Sequence, residues 1–355
     1  MKKYTFFIGT LCDGGAERVV SILSGKMAEK GMLVEIVTYY DKNIFYEIYP
    51  KVKITSVERV TGTKNKFKNI IWIRKYFKKN AKIVISFLAP FNMLAIISTL
   101  GTGVPIIVAD RNDPTKVPTN KTVRKIRDIL YMFADGIVLQ TKKNKEYFGK
   151  IVQRKSTVIY NPVNMKGSAG SALHTEKEKK IVSVGRLIPQ KNQKILIKAF
   201  ANVVKEFPDY QLVIYGEGSD RQILEELVKE LEIQKNVLMP GSINALHEKM
   251  KSAELFVLSS DYEGMPNALI EAMCLGLPVV STKVSGATDL IQDGKNGFLV
   301  DCGNTEQLTE AMLDMLGHPQ KMKAYAIENA KLVKRLEVDS IAEEWITFID
   351  RKERE

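Results

Sequence analysis

The chain has 355 residues, 45% hydrophobic and 26% charged, with a formal net charge of +12. That is the size and apolar content of a globular protein with two cores. Cys12, Cys274 and Cys302 are scattered, as are His174, His247 and His318, which excludes a disulfide framework and leaves no cluster with metal-ligand spacing.

Lys2, Lys3 and the apolar run to Cys12 imitate a short signal peptide, but no small-residue cleavage site follows. The run reads better as a first strand entering a glycine loop and then a helix, Phe6 to Arg18. Gly14 and Gly15 let the backbone approach a phosphate or sugar, although most Gly-Gly pairs are ordinary turns. Lys64 to Lys82 carries eight basic residues and no acid. At helical spacing Lys68, Lys75 and Lys79 fall together, opposite Ile70, Ile73, Tyr76 and Phe77, which predicts a basic amphipathic helix.

Ile83 to Ala109, 27 residues, holds no charge and is long enough to span a bilayer. Pro90, Asn92, Gly101, Gly103 and Pro105 cut it instead into strand, helix and strand, with strands at 82–86 and 105–109. Val158 to Val163 reads as a closing strand with a Pro stop, and 164–180 has linker composition. Strands at 181–184, 211–215, 236–239, 254–258 and 278–281 then alternate with helical runs, and 304–350 adds three amphipathic helices. The alternation predicts an α/β chain: two doubly wound, Rossmann-like domains facing a cleft, 1–163 and 164–338, followed by a helix in 339–355.

Two segments of the second domain carry chemistry. Ile181 to Gln193 is strand, turn and helix, and Arg186 and Lys191 flank the turn with fixed positive charge suited to a diphosphate. In Glu263-Gly-Met-Pro-Asn-Ala-Leu-Ile-Glu271 the first carboxylate sits on a loop after a strand, the second about one turn into a helix. The helix start offers N–H groups to an anion, and both carboxylates can accept sugar hydroxyls, which reads as a nucleotide-sugar site. The plain alternative is a solvent-facing Glu263 and a helix-start Glu271.

Gly-Gly-Ala-Glu-Arg near the start, Gly-Arg-Leu with a later Lys at mid-chain, the two glutamates, Gly286 and Asp293 to Val300 occur in an order that resembles the retaining glycosyltransferases of family 4 over essentially the whole chain. The resemblance implies the GT-B fold and transfer from a UDP-sugar. It implies that Arg186 and Lys191 grip the donor diphosphate, and that Glu263 meets the sugar beside the backbone of Gly264 and Met265. Glu271 would take the ribose, Gly15 would lie over the phosphate–sugar junction, and the last helix, Ser340 to Asp350 with Trp345, would cross back to the first domain. Some relatives carry a histidine after the fifth strand. This chain has Ala109-Asp-Arg-Asn-Asp113 there, making Asp110 the candidate for acceptor orientation or base work and Arg111 for holding phosphate or acceptor. The alternative is that Asp110 caps its loop and pairs with Arg111. Double displacement and same-face transfer both remain open, and no metal or other cofactor is expected.

Residues 1–166 hold 30 Lys+Arg against 12 Asp+Glu, a net +18, whereas the rest is −6. The first half is therefore expected to meet something anionic. Nucleic acid is not expected, since no such motif accompanies the charge. The expected acceptor is a polyprenyl-diphosphate-linked saccharide of surface-glycan assembly. The enzyme would be peripheral on an anionic membrane surface, at the cytoplasmic face, through 64–82. A groove lined by Arg111, Arg124 and Arg127 is the other explanation for the charge. A soluble-acceptor transferase and a catalytically silent nucleotide-sugar-binding subunit are the alternatives.

Overall fold

The computed structural model describes residues 3–354 apart from Asp13, Lys166 and Asn244. The chain forms two compact units, Met1–Pro162 with Leu336–Glu355, and Val163–Arg335.

The first unit runs β1 (Lys3–Ile8), α1 (Gly15–Glu29), β2 (Leu33–Thr38), β3 (Lys53–Ser56), α2 (Val57–Thr61), α3 (Lys66–Asn80), β4 (Ile83–Phe87), α4 (Ala89–Thr99), β5 (Ile106–Ala109), α5 (Lys121–Tyr131), β6 (Gly136–Leu139), α6 (Lys142–Tyr147), α7 (Lys150–Lys155) and β7 (Ser156–Val158). Its seven strands form one parallel sheet in the order β3-β2-β1-β4-β5-β6-β7. Phe6 pairs with both Ile36 and Ile85, which places β1 inside the sheet, and the successive Phe6, Phe7 and Ile8 are all fully buried, so both faces are covered and the strand reads as a continuous apolar run. The uncharged stretch is indeed β4, α4 and β5, and among the described residues no helix is long and apolar enough to cross a membrane.

α3 starts where the Asn65 side chain accepts from the N–H groups of Phe67 and Lys68, so the helix is two residues shorter at each end than 64–82. It buries Asn69, Ile73 and Phe77 and leaves Lys68, Lys75 and Lys79 in water. Phe77 meets Phe7 edge-on at 5.6 Å, locking the helix to the sheet.

The second unit runs β8 (Glu178–Val184), α8 (Gln193–Glu206), β9 (Gln211–Tyr215), α9 (Arg221–Glu230), β10 (Val237–Gly241), α10 (Leu246–Met250), β11 (Ala253–Leu258), α11 (Asn267–Leu275), β12 (Val279–Thr282), α12 (Ser285–Leu290), β13 (Phe298–Val300), α13 (Thr305–Gly317) and α14 (Pro319–Ala330). Its parallel sheet has the order β10-β9-β8-β11-β12-β13. Ile181, Leu212 and Leu255 from the sheet pack with Leu196, Phe200 and Met312 from α8 and α13 to make its core. Strand order reverses between β8 and β11, the place where ligands bind open α/β sheets.

After α15 (Val333–Leu336), α16 (Val338–Arg354) belongs to the first unit. Its Trp345 is wholly buried and stacks on Phe87 at 5.6 Å, while Lys26 of α1 pairs with Asp339 at 2.9 Å. Two expectations need correction. β7 ends at Val158, so 159–163 is not a strand apart from a single bridge residue, Val163. Residues 164–180 are not a loose linker either: a 3-10 turn at Ser171–His174 buries Ala172, and β8 already begins at Glu178.

Candidate active site

Two loops of the second unit hold most of the singled-out residues, and both leave the carboxyl ends of the adjacent strands β8 and β11. The loops are laced together. The Gln190 side chain donates to the Tyr262 carbonyl at 2.8 Å, Asn192 to the Asp261 carboxylate at 2.8 Å, and Ser259 to the Lys191 carbonyl at 2.9 Å. The backbone N–H of Asp261 donates to the Gln190 carbonyl at 2.9 Å. Each bond adds little, but together they fix Lys191 beside the second loop.

There Lys191 Nζ pairs with Glu263 Oε1, which also accepts from Ser260 Oγ at 2.9 Å. The Lys191 stem lies across Gly185, where an added Cβ would come within 3.3 Å of it. Arg186 is exposed on the same turn. A cation and a carboxylate held together in this way present positive charge and a hydroxyl acceptor side by side.

Gly264 and Met265 are buried on the turn into α11, and the N-cap residue Pro266 gives that helix no side-chain hydrogen bond. Gly286, at the start of α12, lets the turn pack closely. A Cβ there would lie 2.6 Å from Pro266 Cδ and 2.7 Å from the Gly264 carbonyl oxygen. Glu271, one turn further, is only 4% exposed, and His247 Nε2 of α10 lies 3.5 Å from its Oε2. Sequence reading counted His247 among the scattered histidines. It also missed Ser260 and the bonds between the loops. Among the described residues no group of three His, Cys, Asp or Glu is arranged to hold a metal ion.

In the first unit Gly14 is the N-cap residue of α1, and the Glu17 carboxylate folds back onto it, occupying the space a Cβ would need. Gly15 opens the helix and is exposed. Asp110 is 1% exposed and does not face water. Tyr131 donates to its Oδ2 at 3.1 Å, with Arg127 Nη1 at 3.9 Å. Burial pushes the Asp110 carboxyl above the usual carboxylate range, against the lowering effect of Arg127. The backbone N–H groups of Asn112 and Arg111 also act on the Asp110 carboxyl and lower it, in line with the loop-capping part of the alternative reading, but among the described residues no ion pair within 4 Å joins it to the Arg111 guanidinium.

The Arg111 guanidinium is buried over the Phe87 ring, 5.5 Å from its centroid, and Nη2 donates to Asn161 Oδ1. Its Nε and Nη1 have no partner among the described residues, and burial pushes the group down to about 9. Arg124 and Arg127 do not line a groove with it. Arg124 caps the Pro118 and Thr119 carbonyls, and the fully buried Arg127 donates to those of Pro114 and Val117.

The profile described as "Glycosyl transferases group 1" matches residues 168–333, which span both loops and both glutamates. A Campylobacter jejuni "GalNAc-alpha-(1->4)-GalNAc-alpha-(1->3)-diNAcBac-PP-undecaprenol alpha-1,4-N-acetyl-D-galactosaminyltransferase" is 30% identical, over 98% of each chain. A second C. jejuni protein, "N-acetylgalactosamine-N,N'-diacetylbacillosaminyl-diphospho-undecaprenol 4-alpha-N-acetylgalactosaminyltransferase", is 31% identical over 98% of this chain and all of its own. Among solved structures, Anabaena HepE in complex with UDP-glucose superposes with a TM-score of 0.84 over 99% of this chain and 100% of that one, at 18% identity. The chain therefore belongs to the group 1 glycosyl transferases and is a glycosyltransferase with the GT-B fold.

Proposed function

We propose that the enzyme transfers a hexose or N-acetylhexosamine from a UDP-sugar to a saccharide carried on a polyprenyl diphosphate, with retention of the anomeric configuration and without a metal. The observation that carries the donor reading is the braced Lys191–Glu263 pair at the switch point of the second sheet. Breaking the bond between the sugar and the diphosphate leaves extra negative charge on UDP. Arg186, Lys191 and the start of α11 are pre-placed to stabilise that charge, the work that a metal does in other transferases. Glu263 accepts a sugar hydroxyl and Glu271 the ribose hydroxyls.

The acceptor reading rests on the two Campylobacter relatives, whose names specify undecaprenol diphosphate carriers and N-acetylgalactosamine transfer. It agrees with the charge, since a net +18 over residues 1–166 suits an anionic membrane surface. Attachment at the inner membrane face is then electrostatic and reversible, through α3.

The test is a transfer assay with purified enzyme, a panel of nucleotide-sugars and a lipid-linked saccharide. Product that partitions into organic solvent with one UDP-sugar, its new linkage keeping the donor's anomeric configuration, is expected. Turnover only with a non-uridine donor, or only onto water-soluble saccharides, overturns the donor or the acceptor reading respectively.

A further inference from the structure

α3 is not the only basic surface of the first unit. α3 packs beside α4, and α4 beside α5, as three crossovers running the same way across the sheet require. α5 buries Arg127 and Tyr131 and packs Leu130 partly against the core. Its outward stripe is Ile126 and Ile129, continued by Phe133 just past its end, and Ile151 of α7 stands beside it. These four side chains are 49–55% exposed. Single exposed apolar residues are ordinary, but here they adjoin a cavity. That cavity, of about 460 Å³, has an apolar wall of Ile129, Met132, Phe148 and Ile151, with Asp128 and Lys150 also in its lining.

The surroundings are cationic. Lys121, Lys125, Lys142, Lys143, Lys150 and Arg154 are all exposed on α5, α6 and α7. Of the nearby acids, Asp128 is tied to Arg127 at 2.7 Å, and Asp135, which accepts from the Ile106 N–H at 2.8 Å, and Glu146 are exposed, so the six cations remain in excess. Helical apolar residues ringed by lysines match a lipid surface, where hydrocarbon meets anionic headgroups. A protein partner would need acidic groups around an apolar centre, whereas a leaflet supplies both chemistries at once.

We propose that the outer surface of α5 and α7 docks on the hydrocarbon of an anionic leaflet, with one lipid chain entering the cavity. This rests on the membrane reading above and adds an apolar contact to the electrostatic one on α3. The two are separable by salt, because screening weakens the lysines and leaves hydrocarbon insertion intact.

Full-length enzyme carrying Ile126→Ser, Ile129→Ser and Ile151→Ser is compared with wild type on vesicles of equal parts phosphatidylglycerol and phosphatidylcholine. The side chains are half-exposed, so the melting temperature should hold, while vesicle affinity at high salt should fall about tenfold or more. As an independent reading, Phe133→Trp should shift its emission to the blue on vesicles and be quenched by lipids brominated on the acyl chain. Unchanged affinity in the triple variant, or no quenching of bound Phe133→Trp, overturns the proposal. So does a lipid-free wild-type dimer that the triple variant dissolves, which would give the patch to a second copy of the chain. An enzyme that needs these residues for vesicles yet glycosylates only soluble acceptors would refute the acceptor reading and leave the docking surface standing.

Discussion

Glu263 shares one carboxylate oxygen between Lys191 and Ser260, so its orientation is set before any sugar arrives. Glu263→Ala is therefore expected to lower kcat far more than it weakens UDP binding. Glu271→Ala removes the proposed ribose acceptor and should cost about 1–3 kcal/mol of UDP affinity by calorimetry. The reverse pattern would exchange the two roles. Arg111 gives a test at the level of stability. Its ordinary pKa lies above 12 and burial lowers it to about 9, so the cation is disfavoured in the fold. The penalty is full below about 9 and fades as pH rises toward the unfolded value. Arg111→Met keeps the volume and removes the charge, and Asn161 keeps Gln140 as a donor. It should stabilise the protein at pH 7 by about 1–4 kcal/mol, with the gain shrinking above pH 9 in thermal melts. A destabilised variant at pH 7 would mean that the two unpartnered N–H groups are satisfied in solution. The loops bearing Arg186, Lys191 and Glu263, and the start of the helix bearing Glu271, were legible because Gly and Pro punctuate strand-to-helix turns. Ser259, Ser260 and His247 were not, because their partners come from other loops and helices, and local periodicity does not carry such pairings.

The strands of both units could be read from the sequence because parallel strands covered on both faces are unbroken apolar runs, as in Phe6-Phe-Ile8 and Leu255-Phe-Val-Leu258. Boundaries failed where one polar side chain decides them: Asn65 caps α3, which a hydrophobic pattern does not record. The 164–180 segment failed because Gly, Ser and charge look like a linker, while its anchors are two isolated apolar residues, Met165 and Ala172, that show no period. α16 is held by Trp345 against Phe87, and the bulk of that contact is apolar stacking. Trp345→Ala should cost about 3–5 kcal/mol and lower the melting temperature of the first unit, followed by near-ultraviolet circular dichroism. On α3, Phe67 is 72% exposed and Lys68, Lys75 and Lys79 face water, whereas Trp72 stacks on Tyr76 at 4.6 Å. Lys68→Glu, Lys75→Glu and Lys79→Glu together keep helix propensity and reverse the charge. Transfer to a lipid-linked acceptor should fall steeply and transfer to a short soluble one should persist. Equal lipid-linked rates would reduce α3 to a solvated helix face.

At the scale of the whole chain, charge is partitioned: +18 over 1–166 and −6 over 167–355. The half that matches the glycosyl transferase profile is the acidic one, although it is the half that would bind an anionic nucleotide-sugar. On the proposed donor site, affinity would come from local placement, with Arg186 and Lys191 on the turn after β8 and Lys191 held at Glu263 just before α11, and not from a long-range field. That placement bears on metal dependence. A divalent ion in a transferase site neutralises the diphosphate while the sugar leaves, and carboxylates hold the ion. In this chain a carboxylate near the proposed phosphates, Glu263, is already engaged by Lys191. A metal there would compete with that ammonium for the same oxygen. Activity is thus expected to survive a large excess of EDTA, with magnesium or manganese changing the rate by less than about twofold. Lys191→Ala is expected to lose more than about tenfold in kcat, and added metal should not restore it. Loss of activity in EDTA with recovery on adding magnesium, or metal rescue of Lys191→Ala, would show that the lysine does not replace an ion.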